Sequence, residues 1–529
     1  MGQRPDSFRL VLIGLAALLA LSGCASSLRL DTARFVSQAI SPATDSPLKA
    51  ALSTRVPPDK SGFFLLRDGR AALSARLALA QRATHTLDVQ YYLFNNDRTG
   101  KLMAAALLAA AERGVRVRLL IDDIDSADKD IRLATLNAHP NIQIRLFNPF
   151  HTRSSNLLVM GWQALRESVR LNRRMHNKVF IADNQIAITG GRNIGDAYFD
   201  AHHDFSFVDL DVLAAGSILT PLSNSFDQYW NSDASVPVSA LPVAKGDINL
   251  LDAVQFLQGY YADHKGDASG RELAEADPVP ALLSGQTPWV IAQADLIADP
   301  PEKILTQYKS PAKLLIGQLI GLWVDPTKRA LIVSPYFVPR KTGMAYFEYW
   351  RSRGVEVSVL TNAYAASDVP IVHAGYANYR IPLLKAGVRL YELKPTSMPK
   401  GGRLRDLAKG ASRASLHAKA FVFDDEHVFI GSFNLDPRST LLNTEMGLVI
   451  HSPELARQVT DIVQEYMQPE RSYQPRLIVE QQGKKRVQRL QWQDQEWETE
   501  RVFDVEPDTT LIQRGLLRVL QSLPIEEHL

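Results

Sequence analysis

Residues 175–193 read MHNKVFIADNQIAITGGRN, and residues 416–434 read LHAKAFVFDDEHVFIGSFN. Both stretches follow the pattern H-x-K-x4-D-x6-G-[GS]-x-N. One short match of this kind is weak evidence, because such patterns arise by chance in long chains. Two copies that also agree on the apolar run and on the trailing Gly and Asn indicate a duplicated unit.

Each copy is predicted to form a β-hairpin, because the β-prone runs Val179–Ala182 and Ile186–Thr189 flank the turn residues Asp183 and Asn184. Side chains two positions apart share one face of a strand. The His and Lys of each copy are therefore expected to project into the same space.

An imidazole beside an ammonium group suits a phosphodiester. Lysine can neutralise the non-bridging oxygens, while histidine attacks phosphorus or protonates the leaving oxygen near neutral pH. The glycines after each hairpin allow close backbone approach, and side-chain donors can bind the phosphate. The predicted phosphate-binding residues are Asn193, Asn434 and Ser432.

The motif aspartates, Asp183 and Asp424, fall where each hairpin turns. Aspartate is favoured in turns because its carboxylate accepts hydrogen bonds from nearby backbone N–H groups. A structural role is therefore the preferred interpretation, although the motif also places both residues in the candidate catalytic set. That set comprises His176, Lys178, Asp183, His417, Lys419 and Asp424.

Two carboxylates downstream of the motifs are predicted to orient the imidazoles. Asp209 is assigned to His176, and Glu445 is assigned to His417. A carboxylate bonded to Nδ1 fixes the tautomer and stabilises the imidazolium that forms during proton transfer. The alternative is that both are solvated surface charges.

The doubled motif resembles the signature of the phospholipase D superfamily. The resemblance implies an α/β fold of two similar domains with pseudo-twofold symmetry and one active site at their interface. It also implies a phosphohistidine intermediate on one histidine, with the other as general acid and then general base, and no metal or other cofactor. Family precedent favours His176 as the nucleophile.

Four local stretches resemble the cardiolipin synthase C group: LNRRMHNK at 171–178, GGRNIGDAYF at 190–199, FDQYWN at 226–231 and the ending LPIEEHL. This group is implied to transfer a phosphatidyl unit between phospholipids. The alternatives are a hydrolase that releases phosphatidic acid, an exported nuclease or phosphodiesterase, and a lipid-binding protein without turnover. A net charge of +2 does not favour nucleic acid as a partner.

The N-terminus predicts export and lipid attachment. Arg4 and Arg9 precede an apolar run, Leu10 to Leu21, which is too short to span a membrane but suits a signal peptide. The run ends in Leu-Ser-Gly-Cys24, which resembles a bacterial lipobox. Cys24 is the chain's only cysteine, so it has no disulfide partner within the chain. We expect an acylated protein in the cell envelope facing the periplasm, with the outer membrane favoured over the inner membrane because Ala25 follows the cysteine.

Strand and helix patterns alternate before each motif and predict mainly parallel α/β sheets. The predicted strands are Leu87–Phe94, Val115–Ile121 and Ile142–Phe147, then Ala330–Phe337, Val355–Leu360 and Val388–Tyr391. We predict a signal peptide over 1–23, a tether over 24–60, an N-terminal domain over 61–235, a connecting insert over 236–300, a C-terminal domain over 301–468 and an extension over 469–529. In the extension we expect strands at Arg476–Val479 and Val487–Trp492, and an amphipathic helix at Thr510–Leu520. The acceptor, the donor lipid and the oligomeric state stay open.

Overall fold

The computed structural model describes residues 26–28, 32–33, 35–40, 46–125, 129–153, 166–202, 205–305, 310–322, 325–395, 413–482, 485–496 and 499–523. The predicted signal peptide, Cys24 and much of the tether lie outside these residues. Within the described part of the chain, every helix is too short or too polar to cross a bilayer.

The first motif hairpin lies in the middle of a mixed β-sheet. Three parallel strands, reached through helices, lie on one side of the hairpin, and antiparallel strands lie on the other. In spatial order the strands are Ser235–Pro237, Ile142–Phe147, Arg116–Asp122, Thr86–Tyr91, Val179–Ala182, Ile186–Gly190, Asp211–Gly216 and Ser61–Leu66.

The second motif hairpin has the same neighbours in the same order. Three parallel strands again precede it in space, and an antiparallel pair follows it. In spatial order the strands are Thr499–Phe503, Lys485–Glu496, Ser472–Gln482, Arg389–Leu393, Glu356–Asn362, Arg329–Val333, Ala420–Phe423, His427–Gly431, Met446–His451 and Val290–Ala298.

The two sheets join where the last strand of one pairs with the last strand of the other. Val290–Ala292 pairs antiparallel with Ser61–Phe63, while Gln293–Ala298 pairs with the second sheet. The motif register makes Ser61 the equivalent of Ala292, and these two residues pair with each other. A pseudo-twofold axis therefore passes between these strands, and the predicted two-domain fold is confirmed.

The helices cover the faces of both sheets. In chain order they are Pro47–Leu52, Gly69–Arg82, Arg98–Glu112, Asp130–Asn137, Ser168–Leu171, Leu219–Trp230, Leu250–Gly266, Ala268–Glu275, Val279–Ser284, Leu315–Leu322, Arg340–Ser352, Pro370–Ala377, Arg380–Lys385, Pro453–Met467 and Leu511–Gln521. Gly114, Gly354 and Gly387 lie just beyond three of them with positive φ, the left-handed conformation that favours glycine at a helix end. Apolar residues of the helices and strands together form continuous buried cores.

The expectation of mainly parallel sheets is wrong. Among the described strands, three in each sheet are parallel, because the tight turn of the motif hairpin forces antiparallel pairing and the strands beyond the hairpin also pair antiparallel.

The packed part of the chain begins before residue 61. The helix Pro47–Leu52 buries Leu48 and Leu52 in the first core, and the Ser46 hydroxyl donates to Asp183 at 3.0 Å. The predicted insert is also structured, since it supplies three helices and the strand that joins the sheets.

The C-terminal extension forms the predicted strands and helix, and its strands are longer than expected. The strand Ser472–Gln482 continues the second sheet by pairing with Arg389–Leu393, and Leu511–Gln521 packs on the helix Pro370–Ala377. The extension is thus part of the second unit's sheet.

Candidate active site

Both motifs form the predicted hairpins, and each turn explains its aspartate. Asp183 and Asn184 have φ of 50° and 53°, and Asp424 and Asp425 have φ of 52° and 60°. Two successive positive φ values characterise the tight turn that matches the twist of a hairpin, and Asp and Asn tolerate them.

Asp183 and Asp424 have the structural contacts that the turn interpretation predicts, and their place in the catalytic set stays a prediction. The Asp183 carboxylate accepts hydrogen bonds from the backbone N–H groups of Thr84, His85 and Thr86 at 2.8–3.1 Å. Asp424 accepts from residues 327–329 in the same way. Each aspartate fixes the start of the neighbouring strand, at the end of the hairpin far from the histidine.

The histidines and lysines lie just before the first strand of each hairpin. The Nζ of Lys178 donates to the backbone carbonyl of His176 at 2.7 Å, and Lys419 makes the equivalent bond to His417. The expected neighbourhood of each His and Lys is therefore present, although both precede the regular strand. All four side chains are buried.

The predicted pairing of histidines with carboxylates is wrong, because each histidine bonds the carboxylate of the other unit. His176 Nδ1 lies 2.8 Å from Glu445 Oε2, and His417 Nδ1 lies 2.6 Å from Asp209 Oδ2. These partners are 269 and 208 residues apart in the chain. One site is therefore built from both units.

Parallel pairing across the interface causes this exchange. The strand Arg413–Leu416 pairs with Phe205–Val208, and Met175 makes the equivalent bridge to Thr444. The backbone N–H of each histidine then donates to the backbone carbonyl of the residue that precedes the other unit's carboxylate, at 2.8–2.9 Å. The backbone thus brings each imidazole beside the carboxylate of the other unit.

A second set of side chains holds these segments. Asp122 accepts from the Met175 N–H at 2.8 Å, and its counterpart Asn362 bonds both backbone polar groups of Leu416. Ser432, predicted to bind phosphate, instead donates its hydroxyl to Glu445 at 2.5 Å. It therefore supports the carboxylate that holds His176.

The two predicted phosphate-binding asparagines differ in their contacts. Asn193 accepts from the Leu93 N–H and donates to the Tyr198 hydroxyl at 2.9 Å, so its amide is engaged with the protein. Asn434 is buried, and its Oδ1 has no hydrogen-bond partner among the described residues. Phosphate binding by Asn193 and Asn434 therefore stays a prediction.

Aromatic side chains that lie outside both sequence motifs enclose the imidazoles. The Tyr92 ring meets the ring of His176 edge-on at 5.0 Å. Tyr198 and Phe207 contact His417 at 5.2 and 4.9 Å. Tyr92 lies within the predicted strand Leu87–Phe94, and this position is the signal that could have revealed it.

Burial sets the protonation states of the histidines and carboxylates. It lowers the pKa of His176 to about 4 and that of His417 to about 3, although the partner carboxylates act in the opposite direction. Burial acts to raise the pKa of Asp209 and Glu445, but the histidines and lysines outweigh it and hold both below the ordinary value. The free site therefore contains neutral imidazoles bonded to carboxylates at neutral pH.

The lysines respond to the same burial. Desolvation, reinforced by the charge of the other lysine, lowers the pKa of Lys178 to about 7, while desolvation lowers that of Lys419 to about 8. A bound phosphate oxyanion would stabilise both ammonium groups, because opposite charge favours the charged form. The site is thus suited to an anion with charged oxygens.

The geometry supports displacement at phosphorus. Each imidazole is held through Nδ1, and the described residues offer no hydrogen-bond partner to either Nε2. One neutral Nε2 can attack phosphorus while the other imidazole moves a proton, and the lysines balance charge on the non-bridging oxygens. Two cross-paired histidines with two lysines on paired α/β units define a phospholipase D-type enzyme.

Comparison with known proteins agrees. The family model described as cardiolipin synthase, PLD-like domain, matches residues 77–230 and 325–467. Cardiolipin synthase C of Escherichia coli (strain K12) is 41% identical over 471 residues, which cover 89% of this chain and 96% of the relative. The chain therefore belongs to the cardiolipin synthase family of phospholipase D-like proteins, and it is a phosphatidyltransferase of that type.

More distant matches are consistent with this assignment. Cardiolipin synthase A of Pseudomonas putida (strain W619) is 29% identical over 398 residues, covering 75% of this chain and 66% of the relative. The crystal structure of phosphatidylserine synthase from Haemophilus influenzae Rd KW20 matches with a TM-score of 0.55 at 14% identity, covering 91% of this chain and all of that one. The structural match shows the fold alone.

Proposed function

We propose that this protein makes cardiolipin by moving a phosphatidyl group between two phospholipids through a phosphohistidine on His176. The observation that carries the proposal is the pair of cross-bonded histidines, His176 with Glu445 and His417 with Asp209. The 41% identity to a cardiolipin synthase C over nearly the whole chain supports this choice of product.

The reaction has two displacements. In the first, Nε2 of His176 attacks phosphorus, the bond from phosphorus to the donor alcohol breaks, and His417, which takes up a solvent proton on Nε2 when the anionic lipid binds, gives that proton to the alcohol oxygen. In the second, His417 takes the proton of the acceptor hydroxyl, whose oxygen attacks phosphorus and breaks the bond to His176. Lys178 and Lys419 balance the charge on the non-bridging oxygens in both steps.

The test is a lipid chromatogram from cells that lack other cardiolipin-forming enzymes. Wild-type protein is expected to restore cardiolipin, while His176→Ala and His417→Ala are not. His264→Ala, on the helix Leu250–Gly266 away from the site, is the matched control and should behave as wild type. Phosphatidic acid without cardiolipin would mean that water is the acceptor, and an unchanged lipid profile would overturn both forms of the proposal.

A trapping experiment tests the assignment of the nucleophile. His417→Asn removes the group that activates the acceptor hydroxyl, so a phosphatidyl adduct on His176 should accumulate. Mass spectrometry of the denatured protein locates the adduct. An adduct on His417 in the reciprocal His176→Asn protein, and none on His176 in the first, would reverse the two roles.

We also propose that acylation of Cys24 anchors the protein in the cell envelope facing the periplasm, with the outer membrane favoured. The support is the sequence around Cys24, which resembles a lipobox. Cys24→Ser should stall processing or release the protein from membranes. Membrane fractionation with unchanged acylation would contradict this proposal.

A further inference from the structure

The helix Leu511–Gln521 is apolar on two opposite sides. On its inner side Leu517 is only 4% exposed and packs against Tyr364 and Ala374. On its outer side Ile512 and Val519 are 85% and 58% exposed. The outer stripe also includes Leu516, which gives the spacing i, i+4, i+7 of one helix face, and Leu523 extends it beyond the helix.

Packing within the protein explains only the inner side of this helix. The described residues leave the outer stripe in solvent, and a contiguous exposed apolar patch on a soluble surface marks an interaction site. The charges on this helix are basic: Arg514 and Arg518 are present, and residues 510–523 contain no Asp or Glu. A basic amphipathic helix is suited to the surface of an anionic bilayer.

The helix lies near the carboxyl end of a strand that borders the active site. It packs on the helix Pro370–Ala377, which follows the carboxyl end of the strand Glu356–Asn362. Asn362, the last residue of that strand, bonds the backbone of Leu416, directly before the catalytic His417. The exposed stripe and the site therefore share the carboxyl edge of the parallel strands.

The pseudo-twofold axis places a second apolar surface across the site. The counterpart of Pro370–Ala377 is Asp130–Asn137, which packs against Leu250–Gly266. Between these helices lies a groove of 260 Å³ with Ile131 and Phe256 exposed along it and with Lys101 and Arg132 also in its lining. Exposed apolar side chains and basic residues thus flank the active-site edge on both sides.

We propose that this edge is a docking surface for an anionic phospholipid bilayer, with the stripe of Ile512, Leu516, Val519 and Leu523 as its main contact. The proposal rests on the proposed function, because an enzyme that acts on phospholipids must open its site towards the bilayer that holds them. It assigns a role to the C-terminal helix that is independent of the Cys24 anchor.

The test measures vesicle binding and turnover in the full chain carrying Cys24→Ser, so that acylation cannot hold it to lipid. The variant is Ile512→Glu with Val519→Glu. Val479→Glu with Val502→Glu is the matched control, because these residues are 53% and 55% exposed and lie on the strands Ser472–Gln482 and Thr499–Phe503. Binding is measured by co-sedimentation with vesicles of three parts phosphatidylethanolamine to one part phosphatidylglycerol.

We expect the double variant to lose about a hundredfold in vesicle binding, since each buried Ile or Val side chain contributes roughly tenfold. Turnover on these vesicles should fall in parallel, while turnover on a short-chain monomeric phosphatidylglycerol stays unchanged. The control variant should match the parent in all three measurements. Vesicles of neutral phosphatidylcholine should bind the parent more weakly.

Unchanged vesicle binding in the double variant would overturn the proposal. So would a change from dimer to monomer in sedimentation velocity without a change in lipid binding, because a second copy would then cover the stripe. If the milder Ile512→Ser with Val519→Ser also lowers the Tm, the stripe belongs to the fold and the proposal fails. Failure of the proposed function gives a different result, namely no turnover of the short-chain lipid with vesicle binding intact.

Discussion

At the scale of single residues, the site joins two neutral imidazoles to two carboxylates and holds two buried lysines whose charge a bound oxyanion stabilises. His176 is held by Glu445 and His417 by Asp209. A neutral imidazole whose Nδ1–H is fixed by a carboxylate presents a lone pair on Nε2, which is the form that attacks phosphorus. The carboxylate then stabilises the positive charge that develops on the ring.

Replacing Glu445 tests that role. Glu445→Gln keeps the shape of the side chain but removes its charge, so the imidazole loses both its fixed tautomer and its charge partner. We expect kcat to fall by about 10²–10⁴-fold with the Tm nearly unchanged. Glu426→Gln, at an exposed position in the second motif hairpin, is the matched control. A loss of less than about tenfold in Glu445→Gln would show that the pair is not needed for the chemistry.

The lysines predict proton uptake when an oxyanion binds. The pKa of Lys178 is about 7 and that of Lys419 about 8 in the free site, so both lose protons as the pH rises through this range. A bound oxyanion raises both pKa values, and binding at pH 8 should therefore draw protons from solution. Calorimetry with tungstate in two buffers of different ionisation enthalpy measures this uptake.

Arginine at both positions provides the control for the calorimetry. Arginine stays protonated at pH 8, so Lys178→Arg with Lys419→Arg should bind tungstate without proton uptake. The same uptake in this variant as in the wild type would assign the titrating groups to other residues.

At the scale of elements, the two ends of each motif hairpin have different functions. The end that precedes the first strand carries the His and Lys, while the turn carries an aspartate that organises the adjacent strand. In the first hairpin the whole length of the strand Val179–Ala182 separates these two ends. The His and Lys at one end of each motif therefore serve the chemistry, while the Asp at the other end supports the fold.

Asp183→Ala separates these two roles. The substitution leaves the N–H groups of Thr84, His85 and Thr86 and the hydroxyl of Ser46 without their acceptor. Unsatisfied buried donors cost about 1–3 kcal/mol each, so the Tm should fall by several degrees. The kcat of the folded protein should match that of the wild type.

Asp424→Ala should lower the Tm less, because its partners around Thr327 and Lys328 are more exposed to water. A loss of kcat in Asp183→Ala at a temperature where it remains folded would keep the aspartate in the catalytic set.

The sequence predicted the features that depend on neighbours along the chain. The hairpins, most strands, the turn role of Asp183 and the shared neighbourhood of His176 and Lys178 follow from local periodicity and turn chemistry. The partner of each histidine does not, because it depends on parallel pairing between residues far apart in the chain. Tyr92 was missed for the same reason, since only the fold brings its ring to His176.

At the scale of the whole molecule, the two units form one structure. Their sheets join through the self-complementary pairing of Val290–Ala292 with Ser61–Phe63, and Arg438 of the second unit bonds Asn172 of the first at 2.7–2.8 Å. Each unit alone has one histidine and the carboxylate that serves the other unit's histidine. A complete site therefore requires both units, and the joined sheets supply them from a single chain.

This arrangement predicts the outcome of mixing two inactive proteins. His176→Ala keeps an intact second unit, and His417→Ala keeps an intact first unit. If each chain closes its own interface, co-expression of the two variants should give no more cardiolipin than either variant alone. Co-expression of each variant with wild type is the control and should retain wild-type product. Restored product from the two variants would instead show that units exchange between chains, because only a swapped pair can place His176 beside Glu445 and His417 beside Asp209 in one site.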